Sequence, residues 1–253
     1  MDLGLADRVF ILTGASRGLG FATAEALVGD GARVVVSSRD ADRVAEAVGR
    51  LGGPEHALGV TADLADPRTP RELVHAAQER FGRLDGALVS VGGPAPGTAA
   101  SMSDDQWTTA FETVFLGSVR AARTFASALP EGGAVGLVLS TSVKTPLTGL
   151  GLSNGFRPGL AMVAKDMADE FAPRGVRVLS ILPGRFMTDR SRELFEAAPD
   201  PAAAAETVAA GIPLARIGEP TEFGRVAAFL LSPAASYVTG VAVPVDGGAL
   251  RTL

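Results

Sequence analysis

Val9-Phe10-Ile11-Leu12-Thr13-Gly14-Ala15-Ser16-Arg17-Gly18-Leu19-Gly20 is an apolar run that breaks into a glycine-spaced turn. Phe21, Ala24, Leu27 and Val28 follow at three- and four-residue steps, a spacing that predicts a helix. A strand that ends in glycines and opens a helix brings bare backbone N–H groups to the positive end of the helix dipole, where a phosphate is held. Gly14 permits the tight turn, Gly18 admits a pyrophosphate close to the backbone, and Gly20 lets helix and strand pack closely. Ser16 and Leu19 belong to the same cradle. Any tight strand-to-helix turn uses glycine, but here the flanking strand and helix of a dinucleotide fingerprint are both present.

Outward from that turn, short apolar runs alternate with amphipathic segments. Strands are predicted at Val9–Thr13, Arg33–Ser37, Ala57–Val60, Gly86–Val91, Ala134–Leu139, Val176–Leu182 and Val241–Val245. Helical patterns lie between them at 19–29, 41–51, 68–81, 104–129, 153–172 and 220–231. This rhythm predicts an α/β fold: a doubly wound parallel sheet of Rossmann type, three layers α/β/α, forming a single domain over 1–253. The Ala-rich stretch from Asp200 to Ala205 sits in helix-compatible sequence, and 187–213 reads as a mobile helical insertion covering substrate. Ligands of such sheets bind beyond the carboxyl ends of the strands.

Composition narrows the function classes. The chain has 253 residues, 47% hydrophobic and 20% charged, enough for a substantial core. A net charge of −5 gives no electrostatic footprint for nucleic acid or an anionic membrane. The absence of cysteine excludes disulfides, thiol catalysis and thiolate metal sites. His56 and His75 lie far from partners at metal-ligand spacing, so no metal site is expected. No apolar run reaches transmembrane length, and the first residues lack a basic-then-apolar signal, so a soluble cytoplasmic protein is expected.

The end of the second strand bears on the choice of cofactor. A protein selecting NAD places an acid there to bond the ribose 2′-hydroxyl. Here the position is Ser38, followed by Arg39, and Arg17 adds a cation on the same side. The missing acid and the two guanidiniums favour NADP(H), against the plainer account that both arginines are solvated surface charges. Asp40 reads as the cap of the next helix. Asp63, in Ala62-Asp63-Leu64 after the third strand, is placed to accept from the adenine amine, to cap its own turn, or to do both.

These residues, with Pro183-Gly184…Thr188, Asp104-Asp105-Gln106-Trp107 and the closing Gly240…Val245-Asp246-Gly247-Gly248, resemble the short-chain dehydrogenase/reductase family. The likeness spans essentially the whole chain and is closest to the 3-oxoacyl-carrier-protein reductase type. It implies cofactor contacts at Leu64, Gly92, Pro183, Gly184 and Thr188. It also implies a homo-oligomer, tetramer or dimer, joined through 104–129, 153–172 and the last strand. Phe111, Phe115, Met162 and Phe171 suit that role, though core packing accounts for them equally. The family's chemistry uses a serine after the fifth strand, a tyrosine and lysine four apart on the next helix, and an asparagine on the preceding one. Ser140 matches the serine, but the tyrosine position falls on Ser153, the lysine position on Arg157 and the asparagine position on Val114. Asn-Asn-Ala-Gly after the fourth strand becomes Val89-Ser90-Val91-Gly92, and the one tyrosine, Tyr237, lies far outside that register.

Residues four apart share a helix face, so Ser153 and Arg157 are expected to point together toward the cleft. A serine hydroxyl is far less acidic than a phenol of pKa about 10, and arginine stays protonated to about pH 12. Arg157 is suited to bond ribose hydroxyls or to clamp a carboxylate or phosphate. Loss of a general acid removes about 10²–10⁴ in rate. Lys144, four residues past Ser140, is a candidate substitute acid if burial beside Arg157 lowers its pKa, and otherwise a solvated loop lysine. Three functions remain: an NADP(H)-dependent reductase or dehydrogenase of ketones and secondary alcohols with an atypical site, an NADP(H)-binding protein without redox turnover, and a non-redox isomerase or lyase on the same scaffold. The ketone reading includes 3-oxoacyl thioesters.

Overall fold

A computed structural model describes residues 2–252. Its seven described strands are β1 (Val9–Thr13), β2 (Arg33–Ser38), β3 (Ala57–Thr61), β4 (Gly86–Val89), β5 (Ala134–Val138), β6 (Arg177–Pro183) and β7 (Ala242–Val245). They form one parallel sheet in the order β3-β2-β1-β4-β5-β6-β7. Winding reverses between β1 and β4, which sets a crevice at their carboxyl ends.

Side-chain alternation along each strand feeds two cores. Val9 and Ile11 of β1 join the cluster on one face, and Phe10 and Leu12 join the other. The first face is covered by α3 (Thr69–Phe81), α5 (Gly117–Ala128) and α6 (Gly151–Phe171), through Leu73, Phe125 and Leu160. The second is covered by α1 (Gly18–Gly29), α2 (Ala41–Arg50) and α9 (Pro220–Leu231), through Leu27, Ala47 and Phe223. Each such fully buried Leu or Phe side chain contributes about 1.5–3 kcal/mol. The result is the predicted three-layer Rossmann-type domain.

Three predicted elements change by more than one residue at a boundary. The helical pattern at 104–129 is α4 (Asp104–Ala110), a π-helical turn over Phe111–Leu116, then α5. Gly117 sits where a Cβ would come 2.8 Å from the Leu64 carbonyl oxygen, so this helix presses on the loop after β3. The strand predicted to Val91 stops at Val89, because beyond it the Thr13 side chain replaces the ladder. α6 begins two residues earlier than the 153 expected, at Gly151. The segment 187–213 holds α7 (Asp189–Glu196) and α8 (Pro201–Ala210), capped by Thr188 and Asp200, so the Ala-rich stretch is helical.

Candidate active site

The turn after β1 has the conformation that its glycines permit. Gly14 and Gly18 have φ of +57° and +62°, a region costly for any residue with a Cβ. A Cβ on Gly14 would lie 2.6 Å from the Ser90 carbonyl oxygen. Thr13, fully buried, donates its hydroxyl to that same oxygen at 2.8 Å and accepts from the Ser90 N–H at 2.9 Å. One side chain thus bridges β1 to the chain leaving β4 where the two begin to splay. The N–H groups of Arg17, Gly18, Leu19 and Gly20 find no acceptor among the described residues, and α1 has no side-chain cap. They form the amide cradle the sequence predicts.

Around the cradle, the guanidinium of Arg17 meets Glu193 of α7 at 3.5 Å. Arg39 is exposed and Ser38 half-buried beside it. Asp40 does cap α2, accepting from the Arg43 N–H at 3.1 Å. Asp63 is exposed; one carboxylate oxygen accepts from the Ala65 N–H at 3.0 Å, which is the turn-capping account.

A cleft of about 300 Å³ opens from the cradle across the ends of β4, β5 and β6. Of the predicted residues, Gly14, Arg17, Gly18, Leu19, Gly20, Gly92, Arg157, Pro183 and Thr188 line it. Ser16, Ser38, Arg39, Asp63, Leu64, Gly184, Ser140, Ser153 and Lys144 do not. Ser90, Leu139, Asp189 and Arg190 also line it and were not foreseen. Ser90 is placed there by its long-range bond to Thr13, which has no local signature. The first turn of α7 crosses the rim, with Arg190 approaching the Gly93 carbonyl oxygen at 3.4 Å.

Arg157 reaches the cleft floor from α6 with only 5% of its surface exposed. It donates to the Val138 carbonyl oxygen at 2.9 Å, and no carboxylate lies within bridging distance among the described residues. Burial pulls its pKa down to about 10, which leaves it cationic at neutral pH. Ser153 does not reach the cleft as expected. Its side chain is short and buried, and its hydroxyl is hydrogen-bonded to that of Ser142 at 3.2 Å. Ser140, half-buried, accepts from the Ser142 N–H at 3.1 Å. Lys144 is exposed, so the expectation of burial beside Arg157 fails: the short 3₁₀ turn over Thr141–Val143 ends there and turns the lysine to solvent. Val114 is buried within the π turn, and Tyr237 is fully exposed.

The neighbouring loops are fastened to each other. The Asn154 amide accepts from the Leu147 N–H and donates to the Leu147 carbonyl oxygen, both at 2.9 Å. Gly97 donates to the Gly149 carbonyl oxygen at 2.7 Å and accepts from the Gly151 N–H at 2.8 Å. No group of three or more potential metal ligands occurs among the described residues, and none of their helices is long and apolar enough to cross a membrane.

A family model described as enoyl-(acyl carrier protein) reductase matches residues 14–249. The chain belongs to the short-chain dehydrogenase/reductase family. An L-rhamnose 1-dehydrogenase (NAD(P)(+)) of Azotobacter vinelandii is 32% identical, over 96% of this chain and 97% of that one. L-sorbose reductase from Gluconobacter frateurii, solved with NADPH and L-sorbose, superposes with a TM-score of 0.91 at 30% identity, covering all of both chains. An NADPH-bound short-chain oxidoreductase from Pseudomonas aeruginosa PAO1, described as containing an atypical catalytic center, gives a TM-score of 0.90 at 30% identity, over 97% of this chain and 98% of that one. The cradle, the crevice and the order of strands are therefore those of a family of oxidoreductases.

Proposed function

We propose that this chain is an NADP(H)-dependent oxidoreductase acting between a ketone and a secondary alcohol, with an atypical proton-handling site. The observation that carries the reading is the run of free amides at Arg17–Gly20, flanked by Arg17 and by Ser38-Arg39 in place of an acid. The residues fit the group: open N–H donors hold a pyrophosphate, and cations suit a 2′-phosphate that a carboxylate would repel. The L-sorbose reductase and Pseudomonas neighbours, both solved with NADPH, support the same choice.

A bound nicotinamide supplies the hydride that adds to a carbonyl carbon. In this chain Arg157 holds the floor of the cleft, and α7 of the 187–213 insertion covers its rim. Ser140, Ser142 and Ser153 form a hydroxyl cluster behind it. None of these hydroxyls is an effective acid near neutral pH, so the substrate oxygen takes its proton from water. Turnover is expected to fall below that of a site with a phenol acid by about 10²–10⁴. The buried Ser142–Ser153 pair also favours a second reading, an NADP(H)-binding protein without hydride transfer. The exposed Phe111 of the π turn and Met162 of α6 suit a homo-oligomer.

The test titrates NADPH and NADH by fluorescence, then follows NADPH oxidation over a panel of ketones, keto acids, keto esters and 3-oxoacyl thioesters. Tight NADPH binding with slow oxidation is the expected result. Binding without oxidation of any carbonyl selects the second reading, and failure of NADPH to bind overturns both.

A further inference from the structure

Two arginines are buried among the described residues, and they are treated very differently. Arg177 gives its N–H groups to three carbonyl oxygens, those of Leu230, Ser232 and Val238, at 2.8–3.1 Å. It fastens β6 to the end of α9, and its donors are spent on the fold. Arg157 is as deeply buried, yet it makes one protein hydrogen bond, to Val138. A guanidinium carries five N–H donors, so Arg157 keeps donors in hand where it lines the cleft. A buried cation without a counter-charge is costly, and the remedy is an anion with matching geometry.

A second cation faces the same space. Arg157 is anchored at the end of β5, Arg190 leans on Gly93 four residues past the end of β4, and both line the cleft. The amide cradle lies at β1, two strands from β5, or about 10 Å away in the sheet plane. A pyrophosphate in the cradle therefore does not also neutralise Arg157. Among the described residues the one acid lining the cleft is Asp189, outnumbered by Arg17, Arg157 and Arg190 in a chain whose net charge is −5.

We infer that the substrate carries a carboxylate, gripped by Arg157 from the floor and by Arg190 from the rim of the cleft. The substrate class is thus an oxo acid or its hydroxy acid. This rests on the oxidoreductase reading and narrows it. A planar guanidinium fork matches a carboxylate through paired bonds, which a lysine ammonium in the same place does not reproduce.

The experiment is calorimetry on the NADP+-saturated protein with matched acid and ester pairs: pyruvate and methyl pyruvate, acetoacetate and methyl acetoacetate, levulinate and methyl levulinate. At least one acid is expected to bind about ten- to a hundred-fold more tightly than its ester, the scale of one charge-assisted hydrogen bond. Arg157→Gln should abolish that ratio and Arg190→Gln should reduce it. Equal affinities in every pair, tighter esters, no binding by any acid, or an unchanged ratio in Arg157→Gln each overturn the inference. An unchanged ratio with weakened NADP+ binding would assign Arg157 to the cofactor instead. If Arg157→Gln does not fold, the wild-type ratio and Arg190→Gln decide. If NADP+ fails to bind at all, the cofactor reading falls, and the same pairs titrated into the chain alone still decide the carboxylate.

Discussion

Replacing Thr13 by valine keeps the shape of a fully buried side chain and removes a hydroxyl that makes two hydrogen bonds to Ser90. Each neutral bond contributes about 0.5–1.5 kcal/mol, so the pair is worth about 1–3 kcal/mol. Ser90 is half-buried, and water recovers part of the loss, which places the expected cost at about 1–2 kcal/mol. In a chain of this size that corresponds to a melting temperature lower by about 2–8 °C. The functional effect is larger than a remote packing change would give, because Gly14 packs against the same Ser90 carbonyl. Released from Thr13, the chain leaving β4 is free to shift relative to the glycine turn, and the cradle loses its fixed distance to the cleft floor. NADPH affinity should fall several-fold in Thr13→Val. Thr13→Ser retains the hydroxyl and gives up one buried methyl, about 0.8 kcal/mol, so it should recover the affinity while remaining slightly destabilised. Differential scanning fluorimetry and an NADPH titration on the three proteins measure both effects. A valine variant that melts within about 1 °C of the parent and binds NADPH equally well refutes the argument.

Three further outcomes are expected. Gly14→Ala places a Cβ 2.6 Å from the Ser90 carbonyl oxygen at a φ of +57°; it should cost about 1–3 kcal/mol or more and abolish NADPH binding, read by melting temperature and titration. Lys144→Ala, at an exposed loop position, should leave turnover within about two-fold of the parent in the NADPH oxidation assay. The pKa of Arg157 is lowered by burial to about 10, so the guanidinium is charged below that value. Preference for acid over ester should be flat from about pH 6 to 9 and decline above about 10. The stability contribution has the opposite sign: the folded-state pKa lies below that of the unfolded chain, so the cost of burying the charge is present below about pH 10 and eases as pH rises through it.

The sheet was legible because each parallel strand is buried on both faces and shows as a short apolar run, as in Val34-Val35-Val36. The π turn at Phe111–Leu116 was not, since it changes helical phase without interrupting the apolar pattern. The cradle was legible because its function is carried by glycines adjacent in sequence. Its partners Ser90 and Arg190 were hidden, because each is placed by a bond to a residue far along the chain. The four-residue spacing did place Ser153 and Arg157 on one helix. It held no information about reach: the long side chain arrives at the cleft, and the short one ends against Ser142.

The ties among Gly97, Gly149 and Gly151, with the Asn154 clamp on Leu147, join two stretches from opposite halves of the sequence. Backbone bonds of this kind are blind to side-chain identity, so residues 94–96 and 144–148 are free to vary while their frame stays the same. Exchanging side chains on this shared hinge plate should leave it whole, and lengthening either stretch alone would tear it.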